Sequence, residues 1–442
     1  MRALHALNLH GIRLLHMADL VAVYVTLLLV TAAATLIRTD FSAVWPDPRY
    51  LWSYMIVAVL HLAVFYFGGL YDREPRLGSR PRLPRIVALV AIASLVAGLI
   101  SWMMGEFLIP RSILALVAVF TPLAVGFNRR VSRWLRFQRE GAPRVVLVGP
   151  EHGITMARRH LSEIPNRVAV AGEAPDVEGA VDLVQRTGAT DVLLLDGRML
   201  DEIYPGPLSD LEGKGVAALQ IVSPRDSLLG LSHVGEIGGM PFVSLSSHVL
   251  PMSQRRLKRL MDLILLLLIL PVAVPLVLLV ALYTRGVTGS PVLFRQLRVG
   301  RDGRPFTLYK FRSMDRDAEA RTGPIQATKD DPRIVRGMGW IRQTRLDELP
   351  QLWNVLRGQM SVVGPRPERP EMTVEFERLI PGYQRRHEVA PGITGLAQVH
   401  GRYHTDPEYK LGHDLQYLAN WSPVLDLQIM ARTAWVILSR QG

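Results

Sequence analysis

Two adjacent carboxylates stand in Leu346-Asp-Glu-Leu-Pro-Gln-Leu352. Neighbouring side chains on a helix diverge by roughly 100°, so Asp347 can attack an electrophile while Glu348 holds a cation. A plainer role competes, because Thr344-x-x-Asp347 has the spacing of a capping box in which Asp347 only satisfies a backbone amide. Two further stretches supply positive charge. In Phe306-Thr-Leu-Tyr-Lys-Phe-Arg312 the alternation of a strand puts Lys310 and Arg312 on one face, a ready anion site, although alone they would read as surface charge. Gly364-Pro-Arg-Pro367 and Pro391-Gly-Ile-Thr-Gly395 read as rigid turns that present Arg366 and backbone amides to phosphate oxygens.

The rest of the chain must hold these groups. Its 442 residues are enough for two or three domains. The absence of Cys excludes a disulfide scaffold, thiolate catalysis, zinc ribbons and iron–sulfur ligation, and fits working parts in a reducing compartment. Hydrophobic residues at 49% are too many for an ordinary soluble protein and charged residues at 20% too many for a pure membrane bundle, so the chain reads as part membrane, part soluble. Apolar stretches near 15–37, 51–70, 86–104 and 113–127 predict four transmembrane helices within residues 1–140. The first is too long for a signal peptide, and no cleavage site is evident before Arg38. The basic loop from Arg73 to Arg85 and the cluster from Arg129 to Arg139 face the cytoplasm by the positive-inside rule, while the short loops around 40–49 and 106–111 lie outside. Only Asp19 stands within a span, near its end, so the bundle reads as an anchor.

Residues 141–250 change texture to short β-branched runs alternating with helix-length segments, the pattern of a Rossmann-like α/β module with a parallel sheet. Gly149-Pro-Glu-His-Gly153 occupies the phosphate-loop position, but it lacks the glycine spacing, Pro150 removes a donor and Glu151 repels a pyrophosphate. A structural or regulatory module is the better reading. Leu260 to Leu282 is long enough to span, yet Arg255, Arg256, Lys258 and Arg259 precede it and Arg285, Arg295 and Arg298 follow it. Returning to the same face satisfies both clusters, and Pro271 with Pro275 are expected to break the helix at mid-depth. The expectation is a re-entrant hairpin over about 258–283, with Lys258 paired to Asp262 at its mouth beside Arg259; a kinked true span is the alternative.

Together the run Lys258-Arg-x-x-Asp262, the broken hairpin, Phe294-Arg-Gln-x-Arg-x-Gly300, Lys310-Phe-Arg-Ser-Met314, Leu346 to Leu352, Gly358-x-Met-Ser-x-Val-Gly-Pro-Arg-Pro367 and Pro391 to Gly395 resemble one family closely. It is that of the bacterial polyprenyl-phosphate hexose-1-phosphate transferases, the monotopic phosphoglycosyl transferases. The motifs cover about 256–442, and the spans and α/β module match the long form by layout. The resemblance implies a phosphoglycosyl transferase domain over 251–442 that moves a sugar-1-phosphate from a UDP-sugar to polyprenyl (undecaprenyl) phosphate. It releases UMP, requires Mg²⁺ and initiates exopolysaccharide, capsule or O-antigen synthesis. It implies Asp347 as the nucleophile of a covalent phosphosugar intermediate and Glu348 as the Mg²⁺ ligand. Lys310, Arg312 and Arg366 would hold phosphates, joined by Arg298, Arg333 and Gln398 as phosphate or substrate contacts. It places the catalytic domain on the cytoplasmic face of the bacterial inner membrane and leaves a homo-oligomer open.

The chain departs from the family pattern at Val335 and at Arg345, and the segment His400-Gly-Arg-Tyr-His404 is variable there. Asp426 to Leu438, with Trp421 and Trp435, suits either the membrane surface or the core. A membrane-anchored regulatory or binding protein with an inactive transferase-like domain is the rival reading, opposed by the intact Asp347–Glu348 pair. The net charge of +12 raises nucleic acid as a partner, but the arginines gather at membrane boundaries and beside Pro/Gly turns, with no aromatic-interleaved platform, so none is expected.

Overall fold

The computed structural model describes residues 14–38, 48–72, 76–77, 83–104, 111–163, 168–204, 206–222, 235–237, 239–245, 250–315, 331–400 and 406–438. The chain forms two compact units, Met1–Ser247 and His248–Gly442.

In the first unit the four expected helices are present as α1 (Leu14–Arg38), α2 (Pro48–Phe67), α3 (Leu83–Met104) and α4 (Arg111–Glu140). Val23, Leu27, Tyr54, Val57, Phe65, Val90 and Val117 meet in their common core. Large apolar side chains such as Leu29, Leu95 and Leu123 point outward, as they do where the surrounding solvent is lipid. By length and composition α1, α3 and α4 can each cross a bilayer, whereas the apolar stretch of α2, Leu51–Phe67, is shorter. Much of the loops expected at 40–49, 73–85 and 106–111 lies outside the described residues.

Beyond α4 the β-branched runs form β1 (Arg144–Val148), β2 (Ala169–Ala174), β3 (Asp191–Leu194) and β4 (Ala217–Ile221). Val145 to Val148 and Val192 to Leu194 are buried on both faces, which is what a parallel sheet covered by helices requires. The sheet is mixed rather than wholly parallel. Its order is β2-β1-β3-β4-β6-β5, and the hairpin β5 (Gly235–Ile237) and β6 (Met240–Leu245), unforeseen in the sequence, adds an antiparallel edge to β4. Gly149 has a packing reason: a Cβ there would stand 3.0 Å from the Leu195 Cβ. Asp196 caps a 3₁₀ turn by accepting from the Arg198 amide at 3.0 Å.

The second unit opens with a long helix, Met252–Thr288, of 37 residues. The break expected at Pro271 and Pro275 is not an interruption, since helix is assigned through both. Each proline withdraws only one backbone donor, and the surrounding turns keep theirs. The two ends of the helix rest on the same unit. Lys258, Arg259 and Asp262 bond to Asp426, to the Val355 and Leu356 carbonyls and to Ser361, while Val280 packs near Phe311, Met338 and Ile341 and the Tyr283 hydroxyl donates to the Gly337 carbonyl at 2.9 Å. Between them Leu267, Leu268 and Val272 are exposed.

After it β7 (Leu293–Val299) and β8 (Pro305–Phe311) pair as an antiparallel hairpin, and β9 (Ser361–Val363) pairs parallel with β10 (Gly392–Thr394). Phe306 and Leu308 face inward from β8 toward Val355 and Met360. Lys310 follows at the same parity, so the strand delivers its ammonium to the interior.

Candidate active site

Asp347 and Glu348 lie in a short 3₁₀ turn, Leu346–Glu348, and both are buried. Arg345 enters this turn in the left-handed conformation, φ 59°, a strained choice for a residue with a Cβ. The capping role is overturned: the Thr344 hydroxyl donates back to the Trp340 carbonyl at 2.8 Å, and Asp347 Oδ1 is buried with no hydrogen-bond partner among the described residues.

Glu348 is the most heavily compensated carboxylate of this cluster. Its Oε1 lies 2.7 Å from Lys310 Nζ, 3.4 Å from Arg366 Nη2 and 3.7 Å from Arg345 Nη1. Burial alone would raise its pKa, but Lys310, Arg366 and Arg345 outweigh that and hold it well below the usual carboxylate range. Asp347 goes the other way. Burial first, then the negative charge of Glu348, push it up to about 6 against the opposing pull of Lys310, Arg342 and Arg345. One buried pair thus contains an ionised anchor and a carboxylate poised near neutrality, the division of roles that unequal environments impose on neighbouring acids.

Arg366 is positioned by backbone contacts. The Gly364 amide donates to the Thr394 carbonyl at 2.8 Å and the Gly392 amide to the Pro365 carbonyl at 2.9 Å. A Cβ on Gly392 would stand 2.1 Å from the Gly364 nitrogen, so only glycine permits this approach. These two amides are therefore spent on carbonyls of the facing turn, so for Gly364 and Gly392 the expected presentation of backbone amides to a phosphate does not hold. Arg386, which that reading passed over, completes the clamp: Nη2 donates to the Arg366 carbonyl at 2.9 Å and lies 2.8 Å from Asp414 Oδ2, and Nη1 donates to the Tyr383 hydroxyl.

The other expected contacts separate into two groups. Lys310 and Arg366 converge on Glu348. Arg298, Arg333, Gln398 and Arg312 make other contacts. Arg298 Nε donates to Gln296 at 2.9 Å and Nη1 to the Pro367 carbonyl at 3.0 Å, so it braces the Arg366 turn. Arg333 is forked onto Asp331 at 2.8 and 2.6 Å, and Gln398 donates to the Ile393 carbonyl at 3.1 Å. Arg312 is buried, its Nη2 3.9 Å from where a Cβ on Gly289 would stand. Arg342 and Arg345, by contrast, act electrostatically on Asp347; the sequence reading noted Arg345 only as a departure from the family pattern and passed over Arg342, whose spacing of five residues before Asp347 was the available signal.

The expected Lys258–Asp262 pair is also corrected. Lys258 Nζ donates to Asp426 at 2.8 Å, and the same carboxylate accepts from the Tyr417 hydroxyl at 2.7 Å and Trp421 Nε1 at 3.2 Å. Asp262 instead accepts from Ser361 Oγ at 2.9 Å and the Val362 amide at 3.0 Å. Trp421 and Asp426 are core residues, while Val424, Leu427 and Trp435 of the same C-terminal segment are exposed. His400 stacks on His413 with ring centroids 5.5 Å apart, and residues 401–405 of its segment lie outside the described residues.

The pair fits Mg²⁺ by its donors. Glu348 is a buried carboxylate beside a second one, Asp347, whose Oδ1 has no hydrogen-bond partner among the described residues. No group of three or more acidic or His side chains gathers among the described residues, so the remaining ligands would come from substrate phosphates and water, as is usual for this ion.

Residues 253–440 match the family model described as bacterial sugar transferase. The chain is 40% identical over 256 residues to a UDP-glucose:undecaprenyl-phosphate glucose-1-phosphate transferase of Klebsiella pneumoniae, covering 57% of this chain and 55% of that one. It is 42% identical over 189 residues to a UDP-N-acetylgalactosamine-undecaprenyl-phosphate N-acetylgalactosaminephosphotransferase of Aeromonas hydrophila, 42% of this chain and 44% of that one. The exopolysaccharide production protein PSS of Rhizobium leguminosarum bv. phaseoli is 43% identical over 192 residues, 42% of this chain and 96% of that one. The chain thus spans about half the length of the longer curated relatives it matches and nearly all of a short one. With the acidic pair, its cations and the glycine-locked turns all inside the matched region, the chain belongs to the bacterial sugar transferase family.

Proposed function

We propose that the protein transfers a sugar-1-phosphate from a UDP-sugar to polyprenyl phosphate at the cytoplasmic face of the bacterial inner membrane, as the first membrane step of exopolysaccharide assembly. The observation that carries this is the asymmetry of the acidic pair: Glu348 held ionised by three cations beside Asp347, whose buried Oδ1 has no partner among the described residues. The donor and acceptor classes are those named for the relatives.

In this reading an ionised Asp347 oxygen attacks the phosphorus that carries the sugar. An O–P bond forms, the bond to the bridging oxygen of the diphosphate breaks, and its electron pair leaves with UMP. A phosphate oxygen of the polyprenyl acceptor then attacks the same phosphorus and returns the carboxylate. Lys310 and Arg366 neutralise the phosphates, and the Arg298 and Arg386 bonds keep Arg366 in place. Glu348 would hold Mg²⁺, which would supply charge neutralisation on the diphosphate. In this reading the long helix kinks at Pro271 and Pro275, where two backbone donors are missing, and so enters and leaves the membrane on one side. This is supported by its exposed apolar middle and by the anchorage of both ends on one unit.

A regulatory protein with an inactive domain finds no support in the relatives. The test is UMP release from a panel of UDP-sugars with polyprenyl phosphate and Mg²⁺, together with the protein's mass after exposure to donor alone. A mass increase of one sugar phosphate, absent from Asp347→Asn, is expected. UMP release that strictly requires the lipid, with no adduct at any time, would replace the two-step route by direct transfer.

A further inference from the structure

A basic cavity lies on the flank of the long helix, apart from the acidic pair. It measures about 330 Å³, at the small end of ligand pockets, and Arg255, Lys258, Arg259, Arg301 and Arg357 line it against one carboxylate, Asp262. Several of these groups are already committed. Asp262 serves Ser361 and Val362, Lys258 serves Asp426, and Arg259 serves the Val355 and Leu356 carbonyls. The remaining cations are freer. Arg255 bonds the Leu250 carbonyl through Nε at 2.9 Å, Arg301 is half-exposed 3.4 Å from Asp302, and Arg357 lies 4.9 Å over the exposed Trp353 ring. Three guanidinium groups around one cavity make an anion site.

Its position narrows the anion. The cavity's helical residues end at Asp262, and exposed Leu263, Ile264, Leu267 and Leu268 begin in the next turn. Exposed Leu263 and Leu267 follow the cavity residue Arg259 at i+4 and i+8, an apolar track that starts at the cavity's rim and runs toward the middle of the helix. A cationic cavity continuous with an apolar track matches a phosphate that carries acyl chains. An exposed tryptophan under an arginine suits the headgroup layer. We propose that this cavity binds the phosphodiester headgroup of an anionic bilayer phospholipid and so fixes the depth of the re-entrant helix. The inference rests on the re-entrant reading given above. None of Lys310, Asp347, Glu348 or Arg366 lines the cavity, so it is separate from the place of transfer.

The test reconstitutes the full chain in phosphatidylcholine nanodiscs containing phosphatidylglycerol, moves it to mild detergent and counts retained lipid by native mass spectrometry. Wild type is expected to keep phosphatidylglycerol selectively. Replacing Arg255, Arg301 and Arg357 together by Gln should cut retention about tenfold, as loss of charge-assisted contacts predicts, while Arg→Lys at the same positions should keep most of it. Unchanged retention in the Gln variant overturns the proposal. So does displacement of the lipid by millimolar inorganic phosphate, which would make the ligand a soluble anion, or by polyprenyl phosphate, which would make the cavity the acceptor's. Cys introduced at Gln254 or Thr288 and labelled by an impermeant maleimide separates the two readings. If both label from the cytoplasmic side and retention is unselective, the lipid site alone fails; if one labels from outside, the re-entrant reading fails and the lipid site with it.

Discussion

Asp19 in the helical bundle and Asp347 in the second unit are both buried aspartates ringed by basic and hydrogen-bonding groups, and they differ in what is left over. Asp19 Oδ1 accepts from Asn128 at 3.0 Å, and Oδ2 accepts from the Tyr71 hydroxyl at 2.9 Å and Arg129 Nη2 at 2.6 Å. Both oxygens are used, joining α1, the turn after α2 and α4. Asp426 repeats this pattern with Lys258, Tyr417 and Trp421. Asp347 has cations nearby, but its Oδ1 has no hydrogen-bond partner among the described residues, and the ion pairs of the cluster go to Glu348. A satisfied buried charge stabilises a fold; a buried charge kept short of partners is available to react. Asp19, which the sequence leaves as an isolated polar residue in an anchor, is a structural clamp.

The largest effect should come from Asp347→Asn. Turnover should fall by about a thousandfold or more while the melting temperature barely changes, because no hydrogen bond to Oδ1 is lost. An active variant would break the contrast at once. Glu348→Gln should lower turnover by roughly a hundredfold, the scale of lost electrostatic stabilisation, and raised Mg²⁺ should restore part of it. That rescue, sought in steady-state rates, is not expected for Asp347→Asn.

Asp19→Asn reverses the pattern. It strands Arg129 in the bundle and should cost about 3 kcal/mol of stability, visible in detergent thermal melts, while activity per folded molecule persists. Arg386→Lys sharpens the comparison at intermediate strength. It keeps a charge for Asp414 but loses the fork that reaches the Arg366 carbonyl, so kcat should drop about tenfold with KM for the donor nearly unchanged.

The smallest effect concerns pH. Asp347 must be ionised to attack, so activity should fall as pH drops through about 6. Arg345 favours the ionised form, and Arg345→Gln should therefore move this acid limb to higher pH, by about half a unit for a partly exposed charge. A limb that moves to lower pH in a kcat/KM profile would contradict the electrostatic account.

Chain-local signals carried far. Apolar length predicts α1 to α4, β-branched runs predict β1, β3 and β4, and the alternation of β8 turns Lys310 inward. The order and spacing of the motifs identify the family region later matched over 253–440. These are readable because helix and strand periods, and bilayer thickness, act over a few residues to a few turns.

Tertiary structure decided the partners. Lys258 passes over Asp262, one turn away, for Asp426, 168 residues on, because there a hydroxyl and an indole complete the carboxylate's bonds in the core. The fold spends the Gly364 and Gly392 amides on carbonyls of the facing turn, sets Arg345 on Glu348 and leaves Asp347 Oδ1 without a hydrogen bond among the described residues. Sequence spacing lists which charges are near along the chain. Burial makes an unpaired charge costly, and only the folded arrangement determines which distant groups meet that cost and which single oxygen is left to react.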